Sequence, residues 1–157
     1  MSAYRQTFTV RWSDCDANGH MANTAYSTLA IETRIGYLRS RGWTFADFQE
    51  SRFGPVITRE EIDYLREVRL GEDVTLDFTM QGLSNDQARF RMAHELVRAD
   101  GKLVARVLVV GGWMDLTRRK LAPPPEKLAA IIRELPRSGE WVVLHDAGQA
   151  HRPPPST

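Results

Sequence analysis

The chain contains one cysteine among 157 residues, so an internal disulfide is excluded, and a lone thiol is typical of the reducing cytoplasm. Its 21 Lys and Arg residues nearly balance 20 Asp and Glu residues, without the clustered positive charge that nucleic-acid binding needs. No apolar run approaches the length of a membrane span, and the first residues lack the apolar core of a signal peptide. We therefore expect a cytoplasmic protein that binds neither nucleic acid nor membrane.

The periodicity of apolar residues predicts an α+β fold with an antiparallel sheet. A long helix over residues 23–40 is apolar on two sides, which indicates that the rest of the chain wraps around it. A short helix is predicted at 44–51 and another at 123–135. Apolar residues that alternate or run continuously predict strands at 8–12, 55–64, 74–80, 90–96 and 102–116. The first of these strands should bury Phe8, Val10 and Trp12.

The length fits a single domain, which we assign to residues 1–135. Residues 136–157 form a C-terminal extension with one short apolar run at 141–144, which can add an edge strand, and a partly disordered Pro-rich tail. One small sheet cannot cover a helix that is apolar on two sides and also hide its own edges. We therefore expect two copies of the chain to pair.

A cluster of polar residues lies just before the long helix. If the chain stays extended, Asp14 and Asp16 point to one face and Cys15 to the other. Asn23 is in position to cap the helix, whose free N–H groups stabilise a developing negative charge. A carboxylate a short loop away can activate water or attack a carbonyl, as acyl transfer to water requires. The structural alternative is that both Asp side chains only bind backbone N–H groups in Asx turns.

The pattern D-x-D-x-x-G-H-x-x-N-x-x-Y, formed by Asp14, Asp16, Gly19, His20, Asn23 and Tyr26, resembles the hydroxybenzoyl-CoA thioesterase-like branch of the hotdog-fold acyl-CoA thioesterases. The later segment YLREVRLGEDV is similar to that branch too, and the resemblance covers about residues 5–120. It implies a hotdog fold, in which a curved antiparallel sheet wraps around a long central helix. It also implies a homodimer or a dimer of dimers with active sites at the subunit interface.

The resemblance also implies roles for particular residues. Asp16 falls on the catalytic aspartate and Asn23 on the backbone N–H of the oxyanion site. His20 falls on a residue that lines the substrate site, and Tyr26 on the tyrosine of the motif, which we expect to serve mainly in packing. The turn with Ser84 and Asn85 and the following Arg89 fall where related proteins contact the CoA nucleotide. We expect no cofactor, and no metal ion, because no pair of the four histidines has ligand spacing. Glu32 and Arg34 are expected to be structural, as an interface pair or an intrahelical pair.

The sequence is also compatible with three alternatives to a thioesterase that uses Asp16. Hotdog hydratases of enoyl thioesters place an Asp and a His on one water, although the Asp16–His20 spacing is one residue shorter and the Pro before the His is absent. The protein can instead be a non-catalytic acyl-CoA-binding module. A Cys15–His20 nucleophile is disfavoured, because two neighbouring carboxylates raise the pKa of a thiol.

Overall fold

A computed structural model of the protein describes residues 3–149. The predicted Pro-rich tail, residues 150–157, lies outside the described residues, and the division of the chain at residue 135 stays a prediction. The helices are α1 (Asn23–Ser40), α2 (Phe45–Ser51) and α3 (Glu126–Arg133). The strands are β1 (Tyr4–Thr9), β2 (Phe53–Tyr64), β3 (Asp73–Ser84), β4 (Arg89–Arg98), β5 (Leu103–Asp115), β6 (Lys120–Leu121) and β7 (Arg137–Leu144).

Five strands form one antiparallel sheet in the order β1-β3-β4-β5-β2, to which β6 and β7 are added. The register aligns one set of apolar side chains across the sheet: Leu76 pairs with Leu96, Met80 with Met92, and Met92 with Val109. These residues are buried together with α1 in one hydrophobic core. We call this the inner face of the sheet and the opposite one the outer face. The predicted sheet around a long central helix is confirmed.

Helix α1 has the predicted bounds, and its apolar residues divide into two groups. Tyr26, Leu29 and Leu38 are at most 4% exposed and pack in the core. Ile31 and Ile35 are 48% and 41% exposed, so one apolar side of the helix is left uncovered beside β2. Helix α2 also matches its prediction and begins with a Thr44–Asp47 capping box.

Strand β7 runs parallel to the second half of β3, whose first half pairs with β1. The predicted apolar run thus belongs to a longer strand of the sheet. Gly82 lies at a register shift in β3, and a methyl group there would come 2.5 Å from the Val142 carbonyl oxygen. Without a side chain at Gly82, the β7 backbone can approach β3 closely.

The first predicted strand is shorter than its apolar alternation indicates. Strand β1 ends at Thr9, and a 3-10 turn over Trp12–Asp14 follows. Trp12 is therefore 78% exposed, and its predicted place in the core is wrong. Over residues 3–149, no helix combines the length and the hydropathy needed to cross a bilayer.

Candidate active site

The loop that joins β1 to α1, residues 14–22, folds as a short hairpin, which we call the Asp16 loop. The Asp16 N–H donates to the His20 carbonyl at 2.9 Å, and the Gly19 N–H donates to the Asp16 carbonyl at 3.1 Å. Gly19 has φ +74°, a left-handed conformation that glycine adopts without steric cost. The Met21 N–H donates to the Val68 carbonyl at 2.7 Å. The loop is therefore tied to the segment after β2.

The Asp16 side chain is exposed and oriented by the backbone of its own loop. Its Oδ1 accepts hydrogen bonds from the Asn18 N–H at 2.9 Å and the His20 N–H at 3.4 Å. Within residues 3–149, Oδ2 makes no hydrogen bond, so one carboxylate oxygen is fixed and the other is unbonded. The Asx-turn alternative describes this geometry correctly, and the same turn leaves an oxygen free for chemistry.

Asp14 does not share a face with Asp16, so that prediction is wrong. Asp14 is 9% exposed, and its carboxylate accepts hydrogen bonds from the Arg11 backbone N–H at 2.9 Å and from the Arg11 guanidinium. The side-chain hydrogen bonds from Arg11 lower the pKa of Asp14, and its backbone N–H also contributes. The 3-10 turn at Asp14 and the hairpin turn at Asp16 replace the extended chain that the prediction assumed.

The N-terminus of α1 lies at the end of the Asp16 loop. Asn23 is the first helical residue, Ala22 occupies the cap position, and no side chain caps the helix. The predicted cap by Asn23 is therefore wrong. The first N–H groups of a helix have no intrahelical acceptor and carry partial positive charge. They can thus receive an oxygen that becomes negative, which keeps the oxyanion role of the Asn23 N–H chemically open.

Two tyrosines pack beside this helix terminus. Tyr26 is buried and meets the Tyr64 ring edge-on, with 5.0 Å between ring centroids. The Tyr64 hydroxyl donates to the Asn23 carbonyl at 3.1 Å. Burial raises the pKa of Tyr26, with smaller contributions from Tyr64 and from the Asp16 carboxylate. Tyr26 thus serves in packing between helix and sheet, as expected, and lies close enough to feel the charge of Asp16.

His20 lies on the same loop, but its ring is held by another residue. Its Nε2 is 3.1 Å from Glu67 Oε2, and Glu67 also contacts Arg69. A hydratase needs the Asp16 and His20 side chains on one water, whereas here the His20 ring pairs with Glu67 and His20 meets Asp16 through its backbone N–H and carbonyl groups. Burial and the nearby Asp14 and Asp16 charges raise the pKa of Cys15, which argues against a thiolate nucleophile.

The second group of predicted residues lies in the β3–β4 turn. The buried Ser84 hydroxyl donates to Asp86 Oδ1 at 2.6 Å and accepts from the Arg89 N–H at 2.9 Å, while Asn85 is exposed. Arg89 is level with Val56 at the start of β2, since both pair with Gly112. Asn23 contacts Tyr64, which lies at the other end of β2. Val56 and Tyr64 are eight residues apart, which corresponds to about 26 Å along an extended strand. One copy of the chain does not bring the two groups together.

Arg89 lines a groove of about 660 Å³ on the outer face of the sheet. Arg59 and Arg91 are basic neighbours in this groove, and Leu108 and Val110 form part of its apolar lining. Residues 142–145, at the end of β7 and just beyond it, also line the groove. Glu61 also lines the groove and is ion-paired with Arg59, so Arg89 and Arg91 are the cations left beside the apolar surface for an amphipathic anion.

Sequence reasoning missed the roles of Tyr64 and Glu67. The alternation along β2 could have placed Tyr64 on the face toward α1, because Ile62 and Tyr64 are two residues apart. No local pattern pairs Glu67 with His20, since they meet only when the segment after β2 folds against the Asp16 loop. Within residues 3–149, no three His, Cys, Asp or Glu side chains converge on a common metal site.

The family described as the Thioesterase-like superfamily matches residues 10–132. The comparison with curated proteins found no match. Among solved structures, a Staphylococcus aureus protein in complex with CoA has 19% identity and a TM-score of 0.79, covering 90% of each chain. A 1,4-dihydroxy-2-naphthoyl-CoA thioesterase from Synechocystis has 20% identity and a TM-score of 0.76, covering 85% of this chain and 98% of the other. A gentisyl-coenzyme A thioesterase has 16% identity and a TM-score of 0.71, covering 82% and 98%. At these identities the structural likeness establishes the fold, and the predicted hotdog fold is confirmed.

Proposed function

Because the chain belongs to the Thioesterase-like superfamily, we propose that it hydrolyses an acyl-CoA thioester to a carboxylic acid and free CoA. One observation carries the assignment of its reacting groups. Asp16 lies on the loop that leads into the uncapped N-terminus of an 18-residue helix, and backbone N–H groups hold one of its carboxylate oxygens while the other makes no hydrogen bond within residues 3–149. A base or nucleophile and an oxyanion site are the two parts that thioester hydrolysis needs.

In the proposed reaction, the thioester carbonyl oxygen accepts hydrogen bonds from N–H groups at the start of α1, near Asn23. Asp16 either attacks the carbonyl carbon or takes a proton from a water molecule that attacks it. The tetrahedral intermediate then expels the CoA thiolate as the carbon–sulfur bond breaks. If Asp16 is the nucleophile, water afterwards hydrolyses the acyl anhydride on Asp16, which releases the acid and restores the carboxylate. A thiol has a pKa of about 8.5, so the thiolate leaves without a strong general acid. A single carboxylate therefore suffices for the chemistry.

We assign substrate contacts to His20 and Tyr26 beside Asp16, and to Ser84, Asn85 and Arg89 at the other end of the sheet. The positive charges of Arg89 and Arg91 in the outer-face groove suit the phosphates of CoA. The Ser84 hydroxyl is occupied by Asp86 and the Arg89 N–H, so Ser84 acts by shaping the turn. No cofactor is needed for this reaction.

A homodimer, alone or as half of a dimer of dimers, would complete the site. Strand β2 ends the five-strand order, and Ile31, Ile35 and Ile57 beside it are 41–48% exposed. Antiparallel pairing of β2 with its copy would set the Val56 end of one chain beside the Tyr64 end of the other. The Arg89 region of one copy would then approach the Asp16 loop of its partner. The lone thiol of Cys15 suits the predicted cytoplasmic location.

The test of this function is thiol release from short, medium, long and aromatic acyl-CoAs by the wild-type protein and by Asp16→Asn. We expect the variant to keep its fold and to lose at least about 100-fold in kcat, because the amide is neither a base nor a nucleophile. Asp63→Asn is a matched control, since Asp63 is an exposed carboxylate on the outer face of β2.

Near-normal turnover by Asp16→Asn would remove Asp16 from the chemistry. Crotonyl-CoA separates the competing functions within the same assay. Loss of its conjugated absorbance without thiol release would indicate a hydratase. A rise in melting temperature with acyl-CoA but no reaction would indicate a binding module.

A further inference from the structure

A charged side chain lines the apolar cavity that opens beside β2. The cavity has a volume of about 220 Å³ and lies between α1 and the inner face of the sheet. Its lining is almost entirely aliphatic and aromatic, with Ile31, Ile35, Phe78, Phe90, Met92 and Trp113 among the contributors. Arg34 is the exception, since its side chain projects from α1 into this lining. A cation in an apolar cavity requires an explanation, because its desolvation is costly.

Arg34 is oriented by a buried histidine. Its Nη1 donates to His94 Nε2 at 3.1 Å, and His94 Nδ1 lies 2.7 Å from the Asp77 carbonyl oxygen. The His94 ring stacks on Phe78 and is 1% exposed. Burial and the Arg34 charge lower the pKa of His94 to about 3, so the ring is neutral, with Nδ1–H donating and Nε2 accepting. Within residues 3–149 the expected intrahelical pairing of Arg34 with Glu32 is not formed, and a pairing across a subunit interface stays a prediction.

The Arg34 guanidinium has more donors than its surroundings use. Burial lowers the pKa of Arg34 to about 10, which still leaves it charged at neutral pH. Glu60, on the inner face of β2, acts on it electrostatically, but no carboxylate oxygen of residues 3–149 lies within 4.0 Å of it. In the same part of the chain, the hydrogen bond to His94 is the only one that the Arg34 side chain makes. The remaining N–H groups are not sealed from solvent, so they are available to an acceptor that enters the cavity.

The cavity lies beside the same helix whose N-terminus forms the proposed reacting end. Arg34 is eleven residues beyond Asn23, which is about 16 Å along the axis of α1. Long side chains on a helix lean toward its N-terminus, so the guanidinium lies closer to the reacting end than its Cα does. The exposed side chain of Ile31 lies between them on the same helix. An acyl chain whose thioester lies at Asn23 would therefore span up to about 16 Å along α1, past Ile31, to reach this cation.

We propose that Arg34, positioned by His94, selects acyl groups that end in a carboxylate at the end remote from the thioester. The guanidinium would bind this carboxylate with its free N–H groups, in the geometry that Arg and carboxylates favour. The inference rests on the proposed function, which supplies the CoA thioester at the other end of the acyl chain. A methyl-ended acyl group of the same length would leave the cation unpaired.

The test separates binding from hydrolysis by using CoA thioethers, which cannot be hydrolysed. Calorimetry compares carboxylate-ended and methyl-ended chains of matched length, from four to ten carbons, on the wild-type protein, Arg34→Met and Arg39→Met. We expect the wild-type protein to bind the best carboxylate-ended chain at least about 10-fold tighter than its methyl-ended match. Arg34→Met should abolish that preference, whereas Arg39→Met, which removes an exposed charge from the same helix, should keep it.

Thiol release is measured in parallel from succinyl-, adipoyl- and sebacoyl-CoA and from butyryl-, hexanoyl- and decanoyl-CoA. Arg34→Met should lower kcat/KM by about 100-fold for the preferred carboxylate-ended substrate and leave methyl-ended substrates nearly unchanged. Equal binding of both series by the wild-type protein, or an equal loss of both in Arg34→Met, would overturn the inference. Hydrolysis of only methyl-ended substrates overturns the inference but not the proposed function. A binding preference without any hydrolysis would overturn the proposed function alone.

Discussion

His94 shows how strongly one buried side chain can depend on its neighbours. Its ring is enclosed between Phe78 and Arg34, and both ring nitrogens make hydrogen bonds. The folded protein binds a proton at His94 only near pH 3, whereas the unfolded chain does so near the ordinary value of 6.5. Between these values the unfolded state holds more protons on this residue, so acid favours unfolding. The contribution of His94 to the free energy of unfolding is therefore complete above pH 6.5 and is lost as the pH falls toward 3.

We predict that His94→Gln weakens this acid sensitivity. A glutamine can donate to the Asp77 carbonyl and accept from Arg34, but it does not titrate. In the wild-type protein the His94 contribution should fall by about 1.4 kcal/mol for each pH unit below 6.5. Urea unfolding of both proteins between pH 7 and pH 4 measures the difference, since other titrating groups are shared. Parallel stability curves would show that His94 is not the group responsible.

At the scale of elements, β7 depends on a single residue of β3. Two contacts hold the start of β7 against β3. The Met80 N–H donates to the carbonyl of Pro136, just before β7, at 2.9 Å, and the Thr79 and Ser138 hydroxyls lie 2.5 Å apart. Beyond the strand, the Ala147 N–H donates to Asp86 Oδ2 at 2.9 Å. Between these points the β7 backbone passes Gly82 at a distance that leaves no room for a side chain. The outer-face groove, which β7 helps to line, therefore depends on Gly82.

We predict that Gly82→Ala displaces β7 while the rest of the sheet stays folded. The added methyl group would lie 2.5 Å from the Val142 carbonyl oxygen, so the strand must move, at a cost of about 1–3 kcal/mol. Hydrogen exchange should show faster exchange of the β7 amides in the variant. Gly54→Ala is the control, because its methyl group would meet only Leu116, at 3.9 Å. Unchanged protection of β7 in Gly82→Ala would contradict the close-contact argument.

At the scale of the whole molecule, the region beside β2 distinguishes the isolated chain from the proposed dimer. Ile57 faces the same cavity as Ile31 and Ile35, and β2 offers backbone groups along the free side of the five-strand sheet. Exposed strand edges beside apolar side chains favour association with another strand. A second copy would cover this surface and bring the two halves of the proposed substrate site together.

We predict that Ile57→Arg prevents pairing and reduces thioesterase activity together. Light scattering should give the mass of a dimer for the wild-type protein and of a monomer for the variant, because burying an unpaired charge in the interface is costly. Phe45→Arg adds the same charge at an apolar residue of α2 that is 75% exposed, and it should keep the wild-type mass. A wild-type monomer at micromolar concentration would overturn the dimer proposal, and an active monomeric variant would place the complete site in one chain.

The local pattern of apolar residues was sufficient to predict the helices and strands, but not the conformation of the loops between them. The bounds of α1 and the buried side of β3 followed from apolar periodicity, because that periodicity reflects which side of an element faces the core. The alternation of Phe8, Val10 and Trp12 failed at Trp12, where a 3-10 turn held by Asp14 and Arg11 ends the extended chain. Asp14 and Asp16 have the same residue type, and only their different turns make one structural and the other available for chemistry.

The sequence by itself determined the α+β architecture, the long central helix and the residues of the Asp16 loop, since hydrophobic periodicity and turn residues act over a few neighbours. Only the tertiary structure decided that Glu67 holds His20, that Arg34 meets His94 sixty residues away, and that β7 passes over Gly82. Each of these contacts joins residues distant in the chain. They form only after strand register and packing have set which side chains share a space, and no short stretch of sequence encodes that register alone.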